Sequence, residues 1–413
     1  MTAPRASPVR ACRSCAAPSP SRFLSLGETP IANALLRTPD EPCPTFPLDV
    51  GLCEACGLVQ LLYELPAEAL FDADYPYYSS YSESVVAHAR SHVEALVRER
   101  ALGAEDLVVE VASNDGYLLR EVVRAGVPAL GVEPSPGPAA AAVRAGVPTV
   151  REFLTPQSAE RLRAEHGAAS VVLANNVMAH VPDLNGFVQG LATLLADGGV
   201  LTVENPGVQQ LVENRAFDTV YHEHYCYFST IAVQALMARH GLVLNDVEEF
   251  PGLHGGTLRW WCSHGGTRSA RLERRLAEEA AAGVADLSAY QGFAAHVGRL
   301  QAELRAVLQS ARAQGLSVAA YGAAAKGATL LNSSGIDVRL IDYAVDRNPH
   351  KQGRFLPGAR VPIVAPEELS RRPPDVLLLL AWNVEDEVRR QQRAYLRAGG
   401  RLLVPVPWPR LDA

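Results

Sequence analysis

The chain of 413 residues carries a net charge of −7, and 48% of its residues are hydrophobic. That length suggests two or three domains, and no apolar run approaches the roughly 18 residues that a membrane span needs. Without a basic block, the charge balance disfavours a nucleic-acid partner. The N-terminus lacks an apolar signal core and seven cysteines do not make a disulfide framework, so we expect a cytoplasmic protein.

Two Cys-x-x-Cys pairs lie near the N-terminus, Cys12 with Cys15 and Cys53 with Cys56. Each pair can place two thiolates on one tetrahedral ion, and two pairs complete a structural zinc site. Four such ligands leave no position for a reacting water, which argues against catalysis there. The alternative is a set of unrelated buried cysteines. The Pro-rich segment between the pairs is weakly patterned, and a metal would hold it together.

A tyrosine-rich stretch, residues 71–82, follows this module. Four tyrosines in seven positions, with a proline, indicate a loop. It either covers a polar substrate or fills the space between two domains. The next segment, from Ser82 to about Arg100, has apolar residues at helical spacing. His88 and His92 lie on that face, and we expect them in the core or at its boundary, not on a metal.

Residues 107–134 predict a strand, a sharp turn, a helix and a second strand. Glu110 and Glu133 lie near the ends of the strands, where a parallel βαβ unit places its ligand. The turn is acidic and has one glycine, Gly116, which disfavours a dinucleotide pyrophosphate. It fits S-adenosylmethionine (SAM), which carries an amino acid and a ribose, with Glu133 accepting from the ribose hydroxyls. The alternative is a generic βαβ unit with acids at exposed strand ends.

The alternation continues, and it predicts a doubly wound sheet. Asn175 and Asn176 end the fourth strand and His180 follows, so these side chains are expected in the ligand crevice. A capped helix start at residues 182–183 is compatible with that interpretation. The expected helices are 138–145 and 156–165, and the expected strands after the βαβ unit are 147–150, 171–175 and 198–204.

After Glu204 the pattern lapses for more than 20 residues, and long loops in compact domains are usually functional. Residues 221–228, YHEHYCYF, combine two histidines, an acid and three phenols, a composition suited to proton transfer. The stretch does not match the HExxH zinc motif. An aromatic core crossover is the alternative. A helix from Ser229 and strands over 242–249 and 256–262 are expected next.

Residues 267–313 predict a helical bridge, and a further α/β unit begins at Leu316. Its first strand ends in Tyr321-Gly322, and Lys326 follows where an anion would meet a helix N-terminus. The phrase is not a Walker loop, and a plain Rossmann turn with an exposed lysine is the alternative. Basic residues and an amide follow later strands, which favours a second site for a phosphorylated substrate. They are His350, Lys351, Arg354 and Asn383.

At this point the chain resembles the C-methyltransferases that act on nucleotide-linked 4-keto deoxysugars in antibiotic sugar pathways. The resemblance covers nearly everything after Ala11, and several of its motifs are specific to that family. The motifs are the paired CxxC module, DYPYYSSYS, VVEVASNDG, NNVMAHVPD, YHEHYCYFS, HGGTLR and YGAAAKGATLLN.

The resemblance implies an α/β protein in which a class I methyltransferase Rossmann-like domain lies between a zinc module and a second Rossmann-like domain. We expect SAM and structural Zn²⁺, a TDP-linked sugar substrate, no nucleic-acid or membrane partner, and a monomer or weak homo-oligomer. The expected parts are a zinc-binding module (1–70), a methyltransferase domain (71–265), a helical bridge (266–315) and a substrate-binding domain (316–413).

Site residues carry over by position. His224 resembles the family's base, and Tyr221, Glu223, His180 and Tyr75 join the catalytic pocket. The residues expected at the methyl donor are Glu110, Ala112, Asn114, Asp115, Gly116, Leu118, Glu133, Pro134, Asn175 and Asn176. Those expected at the substrate are Tyr77, Ser79, Tyr321, Gly322, Lys326, Asn332, Arg354 and Asn383.

Two departures from the family pattern stand out. The usual acid before the Glu-His pair is His222 here, which would alter the charge around the base. The usual Gly-Cys before Asn-Asp-Gly is Ala112-Ser113, which adds a methyl group near the donor's methionine.

The expected chemistry is removal of a proton from the carbon next to a ketone by neutral His224, with Tyr221 or Tyr75 donating to the enolate oxygen. Methylation of oxygen or nitrogen on another acceptor is one alternative. A zinc-ribbon adaptor with a degenerate methyltransferase fold is another, and the intact Glu110 and Glu133 argue against it.

Overall fold

The structure is a computed structural model that describes residues 5–70, 78–253 and 255–412. Tyr75 and Tyr77 of the expected substrate loop therefore lie outside the described residues, as does His254 of the HGGTLR motif. Among the described helices, none is both long and apolar enough to cross a membrane.

The segment between the cysteine pairs is more regular than the sequence analysis expected. It forms two long antiparallel strands, in which Leu24 and Leu26 on one strand and Leu48, Val50 and Leu52 on the other are buried. Burial alternates around Leu24 and Leu26 in β2 and is nearly continuous in β3, as in paired strands of a packed sheet, so the expectation of a weakly patterned segment was wrong. The elements of this part are β1 (Ser7–Pro8), β2 (Ser21–Pro30), β3 (Thr45–Cys53), β4 (Leu58–Leu61), β5 (Tyr63–Glu64), α1 (Ala67–Leu70) and α2 (Glu83–Arg100).

The middle of the chain alternates strands and helices, as expected. The elements are β6 (Val108–Val111), α3 (Leu119–Arg124), β7 (Ala129–Val132), α4 (Pro136–Arg144), β8 (Thr149–Val150), α5 (Pro156–His166), β9 (Ala169–Asn175), α6 (Leu184–Leu194), β10 (Leu195–Pro206), α7 (Val208–Glu213), β11 (Cys226–Tyr227), α8 (Thr230–Arg239), β12 (Val243–Phe250) and β13 (Thr257–Ser263).

Strands of this middle part form the first large sheet, whose described order is β12-β13-β10-β9-β6-β7-β8. All neighbours are parallel except those of β13. The chain leaves β6 toward β8 on one side and returns to β9 on the other, so the order reverses between β6 and β9. Ligands bind at such switch points, and the expectation of a doubly wound sheet is confirmed.

A helical pair leads into the last α/β unit. The expected apolar face of the second helix is confirmed, because Leu300 and Leu304 are fully buried. The elements are α9 (Ala270–Ala281), α10 (Gln291–Ala313), β14 (Val318–Tyr321), α11 (Ala325–Ser333), β15 (Tyr343–Val345), β16 (Ile363–Val364), α12 (Glu368–Arg371), β17 (Val376–Leu379), α13 (Glu385–Gln391), α14 (Arg393–Arg397), β18 (Arg401–Val404) and β19 (Arg410–Asp412).

The second large sheet has the described order β16-β15-β14-β17-β18-β19, parallel except at β19. Its order reverses between β14 and β17, which gives it a switch point like that of the first sheet. Short 3₁₀ helices lie at Ser79–Tyr81, Met178–His180, Phe217–Thr219, Leu287–Tyr290 and Trp382–Val384.

A smaller N-terminal sheet connects the two large ones. Its described order is β11-β4-β3-β2, so a strand from the YHEHYCYF loop extends the sheet of the cysteine module. Cys226 pairs with Gln60, and Tyr227 pairs with Val59. The buried faces of β2 and β3 share one apolar cluster with α10 and the second large sheet. The loop that contains β11 is thereby tied to the N-terminal sheet, which packs in turn against the second large sheet.

Candidate active site

The four paired cysteines come together at one point, with their Sγ atoms all within 4.8 Å of one another. Cys12 lies 3.6 Å from Cys56, and Cys15 lies 3.5 Å from Cys53, measured between Sγ atoms. Tetrahedral Zn–S bonds of about 2.3 Å place sulfurs about 3.8 Å apart, so the cluster fits a structural zinc ion. Cys43 lies elsewhere, where its Sγ accepts from the backbone N–H of Gly358.

The turn after β6 has an unusual backbone. Ala112, Asn114 and Gly116 are all left-handed, with φ of 56°, 51° and 74°. Left-handed non-glycine residues cost free energy, and they cluster at functional sites. A Cβ on Gly116 would lie 3.0 Å from Cγ2 of Val147, so this glycine serves the packing of the turn as well as its conformation.

The same crevice collects buried oxygens that have no hydrogen-bond partner among the described residues. Three belong to the turn and its strand, and two lie at the carboxyl ends of the strands beyond the switch point. They are Glu110 Oε2, Ser113 Oγ, Asp115 Oδ1, Asn175 Oδ1 and Asn205 Oδ1. A buried acceptor without a partner is costly, so their concentration marks the place of a ligand rich in donors. The ribose hydroxyls, the adenine amine and the methionyl ammonium of SAM are such donors, and these residues fit it.

Glu133, which follows β7, bonds to the turn after β6 and so joins the ends of these two strands. Its carboxylate accepts from the backbone N–H of Asn114 at 2.9 Å and of Ser135 at 2.7 Å. Burial raises the pKa of Glu133, against the lowering effect of these donors. Burial also raises the pKa of Glu110 well above its usual range, with further contributions from the charges of Asp115, Glu133 and Glu204.

The remaining residues expected at the donor occupy different depths. Leu118 is fully buried beneath the turn, and Pro134 is half-buried between Glu133 and α4. Asn176 is left-handed and donates its backbone N–H to Glu204 O. Ser79, expected at the substrate, donates its backbone N–H to Asn114 Oδ1 at 2.9 Å, so the described end of the tyrosine loop contacts the donor turn.

His224 has a defined tautomer. Its Nδ1 lies 2.9 Å from Thr219 O, and since a carbonyl only accepts, Nδ1 carries the hydrogen. Nε2 is then the acceptor for the hydroxyl of Tyr221, 2.8 Å away. The ring of His180 stands 4.6 Å from that of His224 between centroids, and its Nδ1 donates to Glu223 O at 2.6 Å. A basic nitrogen and a phenol are thus held together.

The other titratable groups of the loop are buried. Glu223 Oε1 accepts from the backbone N–H of Asn33 at 3.0 Å, and burial raises the pKa of Glu223 to about 6. His222 faces the N-terminal sheet, where its Nε2 lies 3.3 Å from Pro47 O, and burial lowers its pKa to about 4. Burial also lowers the pKa of His180 to about 4. His222 is therefore neutral at pH 7, and it brings no positive charge to the loop.

The position of the loop follows from its backbone bonds. Tyr225 donates its N–H to Ala179 O at 2.7 Å, which ties the loop to the segment after β9. Because β9 is the neighbour of β6 across the switch point, His180 and His224 lie at the same sheet edge as the donor turn.

The second switch point is filled by its own side chains. Lys326 Nζ donates to Asn383 Oδ1 at 2.9 Å and lies 5.0 Å from the centroid of the Trp382 ring. Gly322, with φ of 91°, has no room for a side chain, because a Cβ would lie 2.9 Å from Cβ of Ala381.

The residues expected at the substrate are only partly brought together. Asn332 lies near the far end of α11, about 9 Å along the axis from Lys326, and donates to Ala328 O and Pro357 O. Arg354 lies in the loop before β16, half-buried. Tyr321 donates its hydroxyl to Gln391 Oε1 at 2.7 Å.

Tyr321 also lines a polar cleft of about 750 Å³ at the carboxyl edge of the second sheet. Two arginines that the sequence analysis did not single out, Arg347 and Arg390, line it too, with Glu83 and Glu387. Arg347 lies two residues after the end of β15, which was a usable signal. Arg390 lies within α13, where nothing in the pattern distinguishes it from its neighbours.

Comparisons with known proteins agree with this layout. A model of a zinc binding domain matches residues 12–71, a methyltransferase domain model matches 86–247, and a C-methyltransferase C-terminal domain model matches 252–407. The C-methyltransferase NovU of Streptomyces niveus is 36% identical over 410 residues, covering 98% of this chain and 97% of that protein.

Solved structures match about 45% of the chain at low similarity, and these matches carry no argument. The SAM-bound magnesium protoporphyrin IX methyltransferase of Synechocystis is 15% identical, covers 45% of this chain and 79% of its own, and has a TM-score of 0.34. A SAM-dependent methyltransferase of Anabaena variabilis is 15% identical, covers 45% of this chain and 93% of its own, and has a TM-score of 0.35. Sequence similarity decides the assignment: the chain is a SAM-dependent methyltransferase with a zinc-binding module, and it belongs to the C-methyltransferase family that includes NovU.

Proposed function

We propose that the protein removes a proton from the carbon next to the ketone of a TDP-linked 4-keto-deoxysugar and methylates that carbon, in deoxysugar biosynthesis for a natural product. The observation that carries the proposal is the tautomer of His224. Its Nδ1 donates to Thr219 O, so Nε2 carries the basic lone pair, which accepts from the hydroxyl of Tyr221 until a substrate proton takes that place.

Carbon needs this help because it becomes nucleophilic only after losing a proton. A ketone makes that loss possible by placing the resulting charge on its oxygen, as an enolate. In the proposal His224 Nε2 takes the proton. Bound SAM supplies an electrophilic methyl group, so the new C–C bond forms as the sulfonium S–C bond breaks and S-adenosylhomocysteine remains. Alignment by the two sheets would supply much of the rate.

The transfer of the substrate proton to His224 gives Tyr221 a second role. While His224 is neutral, the phenol donates to Nε2. Once Nε2 holds the substrate proton, it becomes a donor, and the phenol hydrogen can turn to another acceptor. The enolate oxygen is the acceptor formed in that step, so Tyr221 stabilises the charge as it develops. His180, kept neutral by burial, would orient the substrate beside the base.

The nucleotide is proposed to lie along the carboxyl edge of the second sheet. The cleft there is large and polar, and Arg347 and Arg390 offer the planar donors that suit a diphosphate. Lys326 and Asn383, which bond each other at the switch point, lie at the same sheet edge. The sugar would then extend from this cleft toward His224.

The direct test uses SAM with a ¹³C methyl group and a panel of TDP-ketosugars. A labelled methyl on carbon, identified by NMR, supports the proposal. His224→Gln should lower methyl transfer by at least about 100-fold, while the matched change at an exposed histidine, His264→Gln, should not. A labelled methyl on oxygen or nitrogen would contradict the proposal. No product from any acceptor, together with no heat on SAM binding, would favour the adaptor.

A further inference from the structure

Asp218 lies at the point where the catalytic loop contacts the second sheet. It is fully buried within the 3₁₀ helix Phe217–Thr219. Its Oδ2 accepts from the indole Nε1 of Trp382 at 2.7 Å. Trp382 lies three residues after the end of β17, and this bond joins residues 164 positions apart in the chain.

The partners of Trp382 extend the contact across the second switch point. Lys326, at the start of α11, lies over the indole ring and donates to Asn383. Burial lowers the pKa of Lys326, and the charge of Asp218 opposes that shift. Burial raises the pKa of Asp218 to about 6, opposed by Lys326 and by the bond from Trp382. Asp218 and Lys326 therefore each oppose the pKa shift that burial gives the other.

The residue after Asp218 holds the base. The carbonyl of Thr219 accepts from Nδ1 of His224 at 2.9 Å, and this bond leaves Nε2 as the basic nitrogen. Asp218 and Thr219 share one short 3₁₀ helix, so a displacement of the Asp218 side chain moves the carbonyl that orients the imidazole. A shift of about 1 Å at a catalytic group can cost about 100-fold in rate.

We propose that Asp218 is a positioning residue for His224, fixed at the switch point of the second sheet by the hydrogen bond from Trp382, whose ring packs against Lys326. The switch point of the second sheet then orients His224, the base that acts at the first sheet, in addition to any contact that it makes with substrate. The inference rests on the proposed role of His224 as the base.

The test replaces the hydrogen-bond donor and changes the acceptor separately. Trp382→Phe keeps an aromatic ring beneath Lys326 and removes the N–H. We expect the kcat of methyl transfer to fall by about 10–100-fold, with KM for the nucleotide sugar changed less than about twofold. Asp218→Asn keeps an acceptor oxygen for Trp382, so its kcat should fall less than about fivefold.

A spectroscopic readout separates positioning from general damage. Selective ¹⁵N labelling of histidine reports the tautomer of His224, assigned by the signal missing in His224→Gln. In Trp382→Phe the Nδ1–H form of His224 should lose population, whereas in Asp218→Asn it should stay dominant. Trp408→Phe, at a more exposed tryptophan, and Asp342→Asn, at the partner of Arg312, are the matched controls and should resemble the parent.

Either of two results would overturn the inference. One is a Trp382→Phe protein with the parent tautomer population. The other is an Asp218→Asn protein that loses as much kcat as Trp382→Phe while its tautomer is unchanged, which would assign the effect to charge. If the parent enzyme makes no C-methyl product, the proposed function fails. The tautomer comparison would still test whether Trp382 and Asp218 position His224.

Discussion

The two large sheets share a strand order around their switch points but differ in what their first turns leave unpaired. After β6, Glu110, Ser113 and Asp115 each keep a buried oxygen without a partner among the described residues. After β14, the polar groups satisfy one another: Ala323 donates its N–H to Asp346, and Lys351 Nζ donates back to Ala323 O. Topology alone would assign a ligand to both turns.

The difference shows that unpaired buried acceptors, more than strand order, mark the cofactor crevice. The first turn needs a ligand's donors to satisfy it, since unsatisfied buried polar groups are costly. Among the described residues after β14, Ala323, Asp346 and Lys351 pair with one another, and Trp382 nearby donates to Asp218 of the catalytic loop. Two similar folds thus serve one reaction in different ways.

The largest expected effect comes from releasing the catalytic loop that lies between the two sheets. Cys56→Ser should reduce the zinc content from about one ion per chain to near zero, because a structural site needs all four thiolates. Since β4 follows Cys56 and pairs with β11, methyl transfer should fall by at least about 100-fold. Metal analysis and a product assay measure both.

SAM affinity should change only a few-fold in that variant, because the donor turn lies in another sheet. Cys43→Ser, outside the cluster, is the control and should keep its zinc. A Cys56→Ser protein that lacks zinc but retains the parent rate would show that the zinc module does not support the loop.

The next prediction compares the two turns through carboxylates that occupy equivalent positions in the two sheets. Glu133 follows the second strand of the first sheet, and Asp346 follows the second strand of the other. Glu133→Gln should weaken SAM binding by about 10–100-fold, the range for losing charge-assisted hydrogen bonds to the ribose. Asp346→Asn should leave the SAM dissociation constant within about twofold. Calorimetry that finds equal losses in the two variants would refute the comparison.

A smaller effect concerns the nucleotide cleft. Arg390→Ala should raise KM for the TDP-sugar by about 10-fold with little change in kcat, because the arginine is proposed to contact a part of the substrate that does not react. Arg393→Ala, an exposed arginine at the start of α14, provides the matched loss of charge. An unchanged KM in Arg390→Ala would place the diphosphate elsewhere.

The last prediction concerns stability, with no change in activity expected, at a residue that packs on the first sheet without reaching its turn. Burial, with the nearby charge of Arg259, lowers the pKa of His92 to about 3, while Glu204 opposes and His88 adds to the shift. Below pH 6.5 the His92 ring binds a proton in the unfolded chain, whereas in the folded protein it stays neutral until the pH approaches its lowered pKa. The free energy of unfolding should therefore fall as the pH drops, by about 2 kcal/mol between pH 7 and pH 5 for this residue.

His92→Gln removes that contribution. Its free energy of unfolding should depend less steeply on pH than that of the parent between pH 7 and pH 5, as chemical denaturation would measure. His264→Gln, at an exposed histidine, should follow the parent. Parallel curves for His92→Gln and the parent would show that the ring titrates normally in the fold.

Sequence reasoning succeeded where the signal is local. Apolar runs located the strands of the first large sheet to within a few residues, and the cysteine spacing identified the zinc cluster that the structure brings together. The strands β2 and β3 were missed because prolines and turn residues obscured an alternation of buried leucines.

The contacts that organise the site were beyond local patterns. Asp218 and Trp382 meet across 164 positions, and the bond from Asn33 to Glu223 spans 190. The tautomer of His224 depends on the direction in which the backbone carbonyl of Thr219 points, and no residue type specifies that direction. Such features emerge only when the three sheets pack together.

The central claim is that His224 removes a proton from carbon, and solvent exchange measures that step without methyl transfer. With S-adenosylhomocysteine bound and the TDP-ketosugar in D₂O, the parent enzyme should exchange the proton next to the ketone, as NMR would show. His224→Gln should exchange at least about 100-fold more slowly. Exchange at the parent rate in His224→Gln would contradict the account.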